Sequence, residues 1–470
     1  MKKIIAVIFA ISMLFSGITT AFAVENEKTD FDFAATLGFI DGEIMDENAV
    51  ITRIQLAEVF YNIIFPNQKD ASQFWGEADF PDVPLDKKHI AATVYGMDIM
   101  KGYSNTQFAP DDPVTYNQLV KTFIVFLGYD LHAGLLGGWP TGYLSKAAQL
   151  GILPQGAGGD SYATVASVCM MLKKCIGVDI ATYDGDGTAI VQKGVDYLDF
   201  YRNIEMKKGT VTGNYLTNIN TYDATSYFCV YIDGEKFGVS ASAAGIQDMI
   251  GFEVYAYYEK TDLGNMIVYF EEGRNSVLEI DAENIVSATG GKITYYADEY
   301  TTNSAYFANS SSIIYNGSSL TSYTDADLNP FVHNAVDGGI VLIDKNFDNT
   351  FDTVVINAYK TYVVSDVSNT RIFNVFNPSE VVNIEDYVER NIDIRNVFGE
   401  PLEPESIKEG QVINVLVDKN GKVKQIIVSK AAITGEIEEI SRTGGRVSAV
   451  KVSGITFKTS SAVALNDSQN

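Results

Sequence analysis

Three segments of the chain begin alike. Ile51-Thr52-Arg53-Ile54-Gln55-Leu56 runs on to Phe60 and Ile63-Ile64. Val114-Thr115-Tyr116-Asn117-Gln118-Leu119 runs on to Phe123 and Phe126-Leu127. Ala163-Thr164-Val165-Ala166-Ser167-Val168 runs on to Leu172 and Cys175-Ile176. Apolar residues recur at helical spacing in each, which predicts an amphipathic helix opened by a threonine cap. Gln55 and Gln118 stand three residues after their threonines and complete capping boxes. A shorter apolar stretch precedes each segment: Ala34 to Phe39, Val94 to Ile99 and Ala147 to Ile152. One helix–loop–helix unit cannot bury its apolar face alone, so the three are expected to pack together over residues 30–180. Approximate repeat bounds are 30–78, 79–135 and 136–180.

The middle unit carries further marks: Phe80-Pro-Asp-Val-Pro84, Gly102-Tyr103, Phe108-Ala-Pro110 and the Val114-Thr115 helix start. With these, residues 30–180 resemble the S-layer homology (SLH) repeats by which bacterial surface proteins grip the cell wall. The resemblance implies grooves between repeats that hold secondary cell-wall polysaccharide. The family's usual helix start is Ile-Thr-Arg-Ala-Glu, and its arginine contributes to binding. Only Arg53 matches that position, while Tyr116 and Val165 occupy it in the other two units. A guanidinium offers forked donors to an acid group on a sugar. Arg53, Thr52, Tyr103 and Tyr116 are therefore the glycan-binding candidates. Trp139 is expected in the core, and Trp75 precedes a loop.

The start of the chain gives an address. Lys2 and Lys3, the apolar run Ile4 to Phe15 and Ala21-Phe22-Ala23 form a secretion signal over residues 1–23. Its apolar part is short for a span, so no integral membrane segment is expected after cleavage. The 60 acidic and 34 basic residues give a formal charge of −26, which argues against a nucleic-acid partner. Cys169, Cys175 and Cys229 read as free thiols, since helical spacing separates the first two.

After Gly177 the composition shifts to Val, Ile, Tyr, Thr and Gly in alternating runs, the pattern of antiparallel strands. Residues 181–208 read as a linker, 209–285 as a β-rich module, and 286–434 as further β-rich sandwich or barrel-like domains. Asp418-Lys-Asn-Gly421 is a hairpin turn between two apolar runs. Gly209-Thr-Val211 with Val230-Tyr-Ile232-Asp-Gly234 is echoed by Gly435-Glu-Ile437 with Val450-Lys-Val452-Ser-Gly454. Residues 435–470 are thus expected to open a further module, truncated at Asn470.

One stretch could hold a cofactor. Asp344, Asn346, Asp348, Thr350 and Asp352 place oxygens at alternate positions, as the first part of a calcium loop does. Asn349 replaces the usual glycine and Val355 the closing glutamate. Asp184 and Asp186 are a weaker acidic pair. His89, His132 and His333 form no metal or triad spacing, and no phosphate loop or nucleophile elbow is present.

The expected fold is multidomain α plus β, a helical bundle followed by antiparallel β-rich domains. The expected function is a secreted surface protein, not an enzyme, of a Gram-positive-type bacterium. It would be held non-covalently to secondary cell-wall polysaccharide, with a structural or adhesive β region like those after SLH repeats in clostridial surface proteins. Self-association in a surface layer would follow. The alternatives are a wall-anchored carbohydrate-active enzyme, and an SLH fold kept as a scaffold without wall binding.

Overall fold

The computed structural model describes residues 28–66, 78–153, 159–184, 189–220, 226, 228–298, 301–332, 336–385, 387–388, 392–429, 435–443 and 446–459. The signal segment, Trp75, Asp186 and His333 lie outside them. The chain divides into two compact units: residues 27–207 with 256–269, and residues 208–255 with 270–470.

The first unit opens with α1 (Asp30–Thr36), α2 (Arg53–Ile64), α3 (Lys88–Gly96) and α4 (Tyr116–Phe126). It continues with α5 (Asp130–Leu135), α6 (Thr141–Gln149), α7 (Val165–Lys174) and α8 (Tyr197–Arg202). Each repeat pairs a leading helix (α1, α3, α6) with a threonine-capped one (α2, α4, α7). The caps of α2 and α4 are the expected boxes, Thr52 with Gln55 and Thr115 with Gln118. A third box, Thr164 with Ser167, was not legible as such, because Ser replaces the usual Glu or Gln. Beyond the leading helices the chain turns through the left-handed region at Gly38, Asp98 and Gly151, where φ is 72°, 59° and 75°. Asp98 takes the place that glycine holds in the other two repeats, as a short polar side chain can.

The capped helices meet through Phe60, whose ring lies 5.2 Å from Phe123 and 4.7 Å from Phe126. Ile51, Leu56, Leu119, Val168 and Leu172 complete the shared core. Each such side chain contributes about 1.5–3 kcal/mol through burial.

The stretch expected as a linker is ordered secondary structure over its described residues. Strands Ile180–Tyr183 and Ala189–Gln192 pair antiparallel, and α8 follows them.

Beyond the helices the chain is β-rich. Five strands close into a barrel in the order Ile204–Gly213, Cys229–Ile232, Glu235–Val239, Gly264–Glu272, Glu253–Thr261. A twelve-stranded sheet is built on the long strand Phe351–Ser368. That strand pairs antiparallel with Asp337–Asp344 and Val412–Val417. It pairs parallel with Thr302–Tyr315, and Asp393–Asn396 pairs parallel with Val423–Ser429. The sheet is therefore mixed rather than purely antiparallel. Parallel partners are joined by long connections, which local alternation cannot reveal. The 418–421 hairpin turn falls where expected, between Val412–Val417 and Val423–Ser429.

The internal echo has a structural counterpart. The turns Asp233-Gly234 and Ser453-Gly454 both carry two positive φ values, 49° and 81° against 51° and 79°. This geometry suits a two-residue hairpin. A Cβ on Gly209 would lie 2.3 Å from Asp233 Oδ2 and 2.7 Å from Ile232. One on Gly435 would lie 2.6 Å from Ser453 Oγ and 2.7 Å from Val452. The same close strand crossing excludes a side chain at both glycines.

Among the described residues, no helix is long and apolar enough to cross a membrane. Cys169, Cys175 and Cys229 are free, and burial pushes the Cys169 thiol up to about 12. Such a thiol stays protonated and unreactive at neutral pH.

Candidate functional site

The three helix starts are joined by a closed ring of backbone hydrogen bonds. Ile51 N–H donates to the Ala163 carbonyl at 3.0 Å, Ala163 to Val114 at 2.8 Å, and Val114 to Ile51 at 3.1 Å. A second ring level ties the first helical residues to neighbouring loops. Arg53 N–H reaches Asp112 O at 3.0 Å, Tyr116 N–H reaches Ser161 O at 2.9 Å, and Val165 N–H reaches Ala49 O at 3.0 Å. These amides have no partner inside their own helices, so neighbouring repeats supply the acceptors. Arg53, Tyr116 and Val165 thus mark three equivalent boundaries.

At the first boundary Arg53 is only 6% exposed. Its Nε donates to Phe108 O at 2.9 Å and its Nη2 to Lys101 O at 2.8 Å. The guanidinium carbon lies 4.8 Å from the Tyr103 ring centre and 5.0 Å from that of Phe108. Burial lowers the Arg53 pKa, while Tyr103, Asp112 and Asp82 act against that shift. An arginine remains charged regardless. Asp82 fixes the facing loop by accepting from Phe108 N–H at 3.1 Å and Ala109 N–H at 2.7 Å. Burial acts to raise the Asp82 pKa, yet these amides hold it below the usual range. Tyr103 is 56% exposed over the guanidinium. Gly102 precedes it because a Cβ there would lie 2.6 Å from both Gln107 O and Ser104 O.

Of the four expected glycan contacts, Arg53 and Tyr103 are therefore brought together. Thr52 lies beside Arg53, but its hydroxyl caps α2 by accepting from Gln55 N–H. Tyr116 stands at the next boundary, where its hydroxyl lies 2.6 Å from Ser167 Oγ. At the third boundary Val165 is buried.

Trp139 is not in the core as expected: it is 51% exposed. Its ring stands edge-on to Tyr143, with ring centres 6.3 Å apart. The amphipathic indole tolerates either setting, so residue type could not decide between them.

In the β-rich unit, Asp344 is buried, and its carboxylate accepts from the amides of Asn346, Phe347 and Asn349 at 3.1, 2.7 and 3.0 Å. Asn346 Oδ1 accepts from Asp348 N–H, Asp348 from Thr350 N–H, and Asp352 from Lys345 N–H. Alternate oxygens here satisfy the backbone of a tight turn with positive φ at Phe347 and Asn349. Among the described residues, no group of three or more His, Cys, Asp and Glu side chains is placed to hold a metal ion.

A polar network that the sequence did not signal lies beside a cavity of about 90 Å³ in the same unit, and its members Tyr359, Arg395 and Gln425 line that cavity. The Tyr215 hydroxyl donates to Asp393 Oδ2 at 2.9 Å and accepts from Arg395 Nη2 at 2.7 Å. Arg395 Nε and Gln425 Nε2 also reach Asp393, and Tyr359 donates to Gln425 Oε1 at 2.6 Å. Burial and the Asp393 charge push the Tyr215 hydroxyl far above its ordinary range. These groups satisfy one another, as a buried ionic network requires for stability.

The model of one family, the S-layer homology domain, matches residues 80–119. The chain is also 26% identical to the middle cell wall protein of Brevibacillus brevis strain 47, over 40% of this chain and 19% of that protein. The match thus spans about a fifth of the relative's length. Residues 80–119 hold the 108–110 loop that receives Arg53 and the Thr115 cap of α4, the features around which the helix starts are joined. The chain is a secreted, cell-wall-associated surface protein that carries an S-layer homology domain.

Proposed function

We propose that the helical unit anchors the chain non-covalently to secondary cell-wall polysaccharide, and that the β-rich unit forms a structural or adhesive layer beyond it. The observation that carries this reading is the first boundary. A charged guanidinium is held in place by two carbonyls beneath a half-exposed tyrosine ring. An aromatic face beside fixed donors suits an acidic sugar ring. The matching SLH domain and the cell-wall relative support the same reading.

The second reading is a scaffold that has lost wall binding. It is favoured by the internal use of Arg53 Nε and Nη2, and by the absence of arginine at the other two boundaries.

A pelleting assay separates them. The chain from Val24 onward is mixed with purified sacculi, before and after extraction of the wall polysaccharide. The anchor predicts co-sedimentation that extraction abolishes. It also predicts that Tyr103→Ala weakens binding by roughly tenfold, about 1.4 kcal/mol, with unchanged thermal unfolding. A folded chain that stays in the supernatant in both cases leaves the scaffold reading standing.

A further inference from the structure

The long strand Phe351–Ser368 sorts its side chains by face. Val354, Ile356 and Ala358 fill one core, so Val355, Asn357 and Tyr359 face the other way, where all three line the cavity of about 90 Å³. Asn357 thus brings a side-chain amide to a lining that also holds Ile314, Leu416 and Ile427.

Two charged residues line the same cavity, Arg395 and Asp248. Arg395 directs Nε to Asp393 at 2.8 Å and Nη2 to the Tyr215 hydroxyl at 2.7 Å. Asp393 is engaged in turn, since Tyr215 and Gln425 also donate to it. Arg395 Nη1 faces Asp248 Oδ1 at 3.7 Å, too far for a hydrogen bond. The two side chains are 14% and 29% exposed, so solvent reaches both. Each is held by its backbone. Asp248 ends the 3₁₀-helix Ala241–Asp248, and Asn214 Nδ2 donates to the Gln247 carbonyl beside it at 2.7 Å. Arg395 lies on the strand Asp393–Asn396, registered against Val423–Ser429.

A cation and an anion 3.7 Å apart on one cavity suit a molecule that bears both charges on neighbouring groups. Partial burial makes each contact stronger than it is in water. Size narrows the class further. One water position needs about 10–15 Å³, so about 90 Å³ gives room for roughly six to eight non-hydrogen atoms. An α-amino acid with no side chain, or with a methyl group, matches that count. A hexose or an aromatic amino acid exceeds it.

We propose that this cavity binds a small free α-amino acid, glycine or alanine. The carboxylate accepts from Arg395 Nη1, the ammonium group donates to Asp248, and Asn357 supplies a further amide. The methyl group of alanine meets the apolar lining. The site gives the β-rich unit a ligand, which a structural or adhesive layer does not require. It does not rest on the anchoring reading.

Calorimetric titration of the chain from Val24 tests it, with glycine, alanine, phenylalanine, acetate and ethylamine as probes. The expected result is saturable binding of glycine or alanine and none of phenylalanine. Acetate and ethylamine, which each carry one of the two charges, should bind at least about tenfold more weakly. Asp248→Asn removes the partner of the ammonium group, and Asn357→Leu removes the amide at similar volume. Each should weaken alanine binding by about tenfold or more. Unfolding curves without ligand show which variants are folded, and if one is not, the other carries the comparison. No saturable heat from glycine or alanine in the folded parent leaves the cavity to water and overturns the proposal. Acetate binding as tightly as alanine overturns it too, as does unchanged alanine affinity in either folded variant. Sacculus binding is indifferent to all of these results, so failure of this site and failure of the anchor are separate outcomes.

Discussion

Gly128→Ala is expected to destabilise the helical unit by about 3 kcal/mol or more, whereas Gly151→Ala costs about 1 kcal/mol. Both glycines follow a helix C-cap, Leu127 and Leu150, and both have positive φ, 83° and 75°. A left-handed alanine is disfavoured equally at each, which sets the smaller figure. They differ in what surrounds them. A Cβ on Gly128 would lie 1.8 Å from the Ala181 carbonyl oxygen, while nothing stands within 4 Å at Gly151. The obstacle is backbone and cannot rotate away. It belongs to a strand fixed by Ala181 N–H to Leu127 O at 2.9 Å and by the Tyr183 hydroxyl to Gly128 O at 2.6 Å. Relief of the clash must break both bonds. Thermal unfolding followed by helical circular dichroism gives the comparison directly. Equal losses at the two positions would show that strand 180–183 yields easily.

Arg53→Ala is expected to cost a further 3–5 kcal/mol in its own variant, and Arg53→Lys to recover little of it. The alanine leaves the carbonyls of Phe108 and Lys101 without their donor. Each buried unpaired group costs about 1–3 kcal/mol. It also removes the cation from between the Tyr103 and Phe108 rings. A lysine ammonium cannot place donors on two separated carbonyls in the geometry of a planar fork. Chemical denaturation of the variants measures this. Full recovery by lysine would show that charge, not the fork, matters at this boundary. Because Arg53 bears structural load, loss of wall binding in Arg53→Ala does not by itself locate the ligand. Tyr103→Ala is the cleaner probe.

The helical half was largely legible, because capping and amphipathic spacing are local. Thr52-x-x-Gln55 and Thr115-x-x-Gln118 announce helix starts from side chains that bond within one turn. The ring through Ile51, Val114 and Ala163 was not legible, since backbone amides leave no mark in residue type. Arg53 was singled out by its motif. Its burial against Lys101 O and Phe108 O comes from a loop some fifty residues away. In the β-rich half, alternation and Asp-Lys-Asn-Gly turns gave the hairpins. The parallel pairing of Thr302–Tyr315 with Phe351–Ser368 depends on long connections that carry no local pattern. The Tyr215–Asp393–Arg395 network joins residues about 180 positions apart, and nothing near either end signals the other. Alternating oxygens at 344–352 serve calcium loops and tight Asx-type turns alike, and spacing alone does not separate the two.

The most direct measurement on the anchoring claim is competition. The chain from Val24 is bound to sacculi, and purified free wall polysaccharide is added in increasing amounts. Non-covalent anchoring predicts that the chain is released along a saturable curve, while an unrelated neutral polysaccharide releases none. Retention on the sacculi at saturating free polysaccharide, or equal release by the neutral one, would contradict it.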